Sequence, residues 1–67
     1  MGRQRLQDAR FQTIGYIDTE PSGKQIGRNA RFMIVGYFDP GADRTTDARF
    51  RVVGYGNILS SLIVLNP

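Results

Sequence analysis

The sequence predicts an all-β fold: an antiparallel meander or small barrel of about six strands, built from three quasi-repeated hairpins and completed by a short apolar C-terminal helix or strand. Three observations lead there. One phrase occurs three times, as Asp8-Ala9-Arg10-Phe11-Gln12-Thr13-Ile14-Gly15-Tyr16, Asn29-Ala30-Arg31-Phe32-Met33-Ile34-Val35-Gly36-Tyr37 and Asp47-Ala48-Arg49-Phe50-Arg51-Val52-Val53-Gly54-Tyr55. Self-similarity at a spacing of about 20 residues means that one supersecondary unit is reused. Segments 18–23 and 39–43 are dense in turn-forming residues, and they separate the copies as breaks between strands. Strand beginnings then recur about every ten residues, the spacing of an all-β meander, sandwich or barrel.

Each unit reads as a hairpin. Its first strand is a short polar stretch, at 3–7, 24–28 and 43–46. The Asp or Asn that opens each phrase favours a turn, because its side chain bonds its own backbone two residues on. The β-branched pairs Thr13-Ile14, Ile34-Val35 and Val52-Val53 favour the second strand, placed at 11–17, 32–38 and 50–56. The units therefore span about 3–20, 24–41 and 43–57, within a single domain covering 1–67.

Alternation assigns faces, since successive strand side chains point to opposite sides. One face should carry Phe11, Phe32 and Phe50 with Thr13, Ile34, Val52 and the glycines. The other should carry Gln12, Met33 and Arg51 with Ile14, Val35, Val53 and the three tyrosines. Regular phase with the strands predicts that the phenylalanines are buried. Segment 32–38 is apolar throughout, as in a strand covered on both sides. Double cover calls for a closed barrel with a lid, or for a second chain.

The lid is segment 58–67. Ile58, Leu59, Leu62 and Ile63 fall on one helical stripe, Asn57 is placed to cap, and Pro67 lies beyond the end. Over so few residues periodicity does not separate helix from strand. In either form the segment is too apolar to stay exposed.

Length and composition bound the rest. A 67-residue chain lies near the size at which folding buries only ~60% of the unfolded chain's surface. There is no Cys for disulfides and no Cys or His for a zinc site, so self-association is the remaining common supplement and a homo-oligomer is expected. No cofactor is expected. Met1 to Arg5 are basic but no apolar run follows, so no signal peptide is read. The longest apolar stretch, 62–65, falls far short of the ~20 residues that span a bilayer. The expected location is cytoplasmic, without a membrane partner.

Eight Arg and one Lys stand against five Asp and one Glu, for a net charge of +3 and an isoelectric point near 10. Arg suits carboxylate, phosphate and aromatic faces alike. Pairing with Asp8 and Asp47 is the first reading of Arg10 and Arg49, and Arg44, Arg49 and Arg51 are expected to be balanced by Asp43 and Asp47.

The Gly-Tyr pairs are the sharpest site candidates. Gly in a strand marks a bulge, a bend or a close approach, and the first reading is a bend in which Tyr covers a neighbouring strand's glycine. The functional reading is three equivalent ligand-binding sites made of Tyr16, Tyr37 and Tyr55 with Arg10, Arg31 and Arg49 as donors. Catalysis lacks its usual groups, with no His for general-base work near neutral pH and no Cys nucleophile. Lys24 lacks the apolar setting that would activate it. Asp18, Glu20, Asp39 and Asp43 fall in expected turns, where such residues are ordinary. The sequence therefore supports a non-enzymatic binding or protein-interaction module that self-assembles. The alternatives are a nucleic-acid binder using its Arg excess, and a lectin-like carbohydrate binder with one Tyr-containing site per repeat.

Overall fold

In the computed structural model, which describes residues 2–66, six strands form one antiparallel sheet in the order β1-β2-β3-β4-β5-β6. They are β1 Gly2–Gln7, β2 Thr13–Thr19, β3 Gln25–Asn29, β4 Ile34–Asp39, β5 Arg44–Asp47 and β6 Val52–Tyr55, followed by helix α1 Leu59–Leu65. Met1 and Pro67, the ends of the expected domain and lid, lie outside the described residues. The sheet is an open meander and not a closed barrel: β1 and β6 are its two edges. No described helix is long and apolar enough to cross a membrane.

The second strand of each hairpin starts two residues later than the pattern predicts, because the phenylalanines belong to the turns. Asp8, Asn29 and Asp47 direct three turns of the same form. Each accepts from the backbone N–H two and four residues on through one side-chain oxygen, at 2.8–3.0 Å. The backbone closes the same loop, with Phe11 N–H donating to Asp8 carbonyl, Phe32 to Asn29 and Phe50 to Asp47. Only an acceptor oxygen is required, which is why Asn29 replaces Asp in the middle copy. The residue ending each turn is left-handed: φ is 61° at Phe11, 67° at Phe32 and 64° at Phe50. An L-residue other than Gly or Asn pays roughly 1–2 kcal/mol there.

A bulge follows each turn and breaks the expected alternation. The register jumps from Leu6↔Gly15 to Gln7↔Thr13, from Gly27↔Gly36 to Arg28↔Ile34, and from Thr45↔Gly54 to Thr46↔Val52. Ile14, Val35 and Val53 are the extra residues. An inserted residue shifts the side-chain phase by one, so Thr13, Ile34 and Val52 leave the glycine face. Val35 instead packs against the core under the helix.

Helix α1 lies on the glycine face, and the lid is a helix. The expected stripe docks residue by residue: a Cβ at Gly15 would collide with Ile63, at Gly36 with Leu62 and at Gly54 with Ile58, and one at Gly27 would press tightly on Leu59. The strand glycines are thus the floor on which the helix rests, not bends covered by tyrosines. Leu59 and Ile63 are fully buried and form the core with Ile17, while Leu6, Val35, Phe38 and Leu62 pack around them. Asn57 stands one residue before the helix cap, where its side chain accepts from Leu59 N–H at 3.2 Å and donates to Gln25 Oε1 at 2.8 Å. Thr45, also fully buried, ties β5 to the helix entry by donating to Gly56 carbonyl and accepting from Ile58 N–H.

Candidate functional site

The three tyrosines of the sequence-expected site lie on the face opposite the helix, and the three arginines on the hairpin turns at one end of the sheet, where Arg49 borders a cleft with Leu62 and Asn66 of the helix end. Gly15, Gly36 and Gly54 point at the helix, so alternation turns Tyr16, Tyr37 and Tyr55 to the other side. Tyr16 lies across from Arg28 on β3, and Tyr37 across from Thr46 on β5. That spacing carries the next hairpin's turn over each ring. Phe32 meets Tyr16 edge-on at 4.7 Å, with planes 80° apart, and Phe50 stacks on Tyr37 at 4.8 Å, with planes 8° apart. Both are favoured aromatic geometries.

The phenylalanines are therefore not core residues. Phe11 is 80% exposed, Phe50 70% and Phe32 44%. The rings of Phe32 and Phe50 lie towards the hairpin on their β1 side, against its Tyr. Phe11 has no such neighbour, and at the other edge Tyr55 is 80% exposed with no turn above it.

Charge is concentrated on the first of these pairs. Asp18 on β2 accepts from Arg3 Nε at 2.6 Å and from Arg28 Nε at 3.0 Å. Both guanidiniums also stand over Phe32, at 4.5 and 5.5 Å from the ring centre, within cation–π range. The hydrogen bond from Arg3, helped by Arg28, holds the Asp18 carboxyl below its ordinary value against the opposing effect of burial. The Arg3 guanidinium is correspondingly raised. Asp47 is also lowered, by backbone N–H donation from Arg51 and Arg49.

The expected pairing of Arg10 and Arg49 with Asp8 and Asp47 takes another form: those carboxylates bond backbone N–H groups of the arginines' own turns. Arg10, Arg31 and Arg49 stand exposed on the three turns. No ion pair among the described residues involves Arg44, Arg49 or Arg51, so the expected balance with Asp43 and Asp47 is not made through side chains. Tyr and Arg of one repeat do not converge on a common pocket. What converges is Tyr of one hairpin with Phe of the next, a pairing that sequence reading missed because it placed Phe in the strand.

Chemically the site offers aromatic and cationic surface and little else. Asp18 lies in β2 rather than in a turn, but two guanidiniums already occupy its oxygens. No group of three or more His, Cys, Asp or Glu suited to a metal ion occurs among the described residues. Beside the Tyr37–Phe50 pair lies a shallow cleft of about 260 Å³, lined also by Lys24, Asp39 and Arg44. No protein-family model, curated protein or solved structure matches this chain. A functional reading therefore rests on the geometry.

Proposed function

We propose that the chain is a non-enzymatic, self-assembling protein-interaction module made of three copies of one hairpin unit. The observation that carries this reading is the imbalance between core and exterior. Among the described residues only Ile17, Leu59 and Ile63 are buried apolar side chains, while Phe11, Phe50, Tyr55 and Leu65 are each at least 70% exposed. Ile34 and Val52, moved by the bulges to the face without a helix, are also exposed. The middle strand that reads as doubly covered has cover on one side only. A chain this small needs a supplement to its core, and these exposed side chains are the apolar area that association would cover.

The test is solution mass by light scattering over a wide concentration range. The proposal expects a discrete or growing species heavier than the monomer. A monomer at every concentration overturns it.

A second reading is supported by Arg10, Arg31 and Arg49, which stand on the same end of the sheet and make no ion pair among the described residues: binding of a nucleic-acid backbone. Affinity for a single-stranded oligonucleotide should then fall steeply as salt rises, because counterion release drives such binding. Salt-independent or absent binding removes it. The carbohydrate alternative has less support, since Phe32 and Phe50 already pack on two of the three tyrosines that a sugar face would need.

A further inference from the structure

We infer that copies of this chain join head to tail, the β6 edge of one against the β1 edge of the next, with Tyr55 of one copy packing against Phe11 of its neighbour. The inference rests on the self-assembly reading and specifies its interface.

The two joints inside the chain share one plan. Where the first hairpin meets the second, Gly15 lies opposite Asn29 and Tyr16 opposite Arg28, and Phe32 covers Tyr16. Where the second meets the third, Gly36 lies opposite Asp47 and Tyr37 opposite Thr46, and Phe50 covers Tyr37. Each joint takes its Gly-Tyr from the strand before it and its Asp or Asn and its Phe from the turn after it. Among the described residues no strand pairs with β6 on the far side of Gly54-Tyr55, and none pairs with β1 on the far side of the turn that carries Asp8 and Phe11. These are the two halves of one more joint.

Exposure agrees. Tyr55 and Phe11, both 80% exposed, are the most exposed members of their sets, and Tyr16 and Tyr37 are only half-buried under their phenylalanines. Phe11 has the same left-handed backbone as the two paired phenylalanines, φ 61°. The turn that Asp8 directs thus sets Phe11 in the same backbone conformation as Phe32 and Phe50, while among the described residues no ring packs against it.

The strand edges agree as well. A meander alternates direction, so β1 of a second copy laid beside β6 is antiparallel to it, as at both internal joints. In the same register Asp8 would face Gly54 and Gln7 would face Tyr55. No charged residue occurs from Val52 to Asn66, so β6 lacks the Lys or Pro by which sheet edges commonly resist pairing. The contact is heterologous, so it closes into a ring if the rotation per copy allows and otherwise extends as a filament.

The test uses the full chain with Phe11→Arg and Tyr55→Arg, alone and mixed in equal amounts. Circular dichroism checks that each keeps the wild-type spectrum, as expected for exposed positions. By light scattering the wild type should exceed the mass of a dimer. Each variant alone should be a monomer, or need at least about tenfold more protein to assemble, the effect of losing ~1.4 kcal/mol. The mixture should stop at a dimer, because the intact Tyr55 edge of one variant meets the intact Phe11 edge of the other while the remaining edges repel. Tyr55→Phe, which keeps the ring, should behave as wild type. Wild-type mass retained by both arginine variants would place the contact elsewhere, ending this inference and leaving self-assembly intact. A dimer formed by either variant alone would mean like edges pair, and also overturns it. A wild-type monomer at all concentrations overturns both.

Discussion

At the residue scale the three left-handed phenylalanines make the sharpest demands. Replacing Phe by Asn relieves the backbone, because Asn tolerates this conformation and preserves more restriction of the unfolded chain than Gly does. At Phe11, which contacts no ring in the monomer, Phe11→Asn should raise stability by up to ~1 kcal/mol. At Phe32 the same change removes an aromatic contact and two guanidinium contacts, and Phe32→Asn should lower stability by ~1–2 kcal/mol. Urea denaturation at concentrations low enough to keep the chain monomeric reads both, and equal signs would refute the argument. Asp18 adds a pH dependence. Its folded pKa lies below the unfolded value of about 3.9, so its contribution is complete above about pH 5 and is lost as pH falls through the folded pKa. Asp47 acts in the same direction. The melting temperature should therefore decline with acidification below about pH 4, and Asp18→Asn should flatten part of that decline.

At the element scale, the helix and its glycine floor behave as one unit. Gly36→Ala puts a methyl group into both Leu62 and the Thr46 carbonyl, and overpacking of this kind costs about 1–3 kcal/mol. Thr45→Val leaves Gly56 carbonyl and Ile58 N–H without their partner, a loss of about 1–3 kcal/mol. Urea denaturation curves check both. The elements themselves were readable: six strands, the breaks between them, and the stripe of Ile58, Leu59, Leu62 and Ile63 follow from turn chemistry and period. What the pattern hid was the turn–bulge pair. A Phe that ends a turn with positive φ and a Phe that begins a strand are spelled alike, and one inserted residue inverts every later face assignment. The roles of Phe11, Phe32 and Phe50 were therefore misplaced, whereas those of Asp8, Asn29 and Asp47 were not, because a side chain that bonds nearby backbone is a local matter.

For the whole molecule, openness is the governing property. A closed barrel would have hidden both edges, and the sequence left barrel and meander equally available because closure depends on shear and curvature that no single hairpin specifies. The sheet instead stops at β1 and β6 with complementary ends. Solution mass is accordingly the decisive measurement, and its response to Tyr55 and Phe11 separates specific joining from general stickiness.

Leu59 and Ile63 occupy the last part of the sequence, yet they complete the floor laid down by Gly15 and Gly27. A chain interrupted after Asn57 would own every strand and almost none of the core. Forming the strands and forming the core are therefore separate events, the second waiting on the docking of Leu59 and Ile63 against the sheet. Fragments lacking the tail should be cut rapidly by a dilute protease under conditions in which the intact chain survives, and equal survival would show that the strands hold together by themselves.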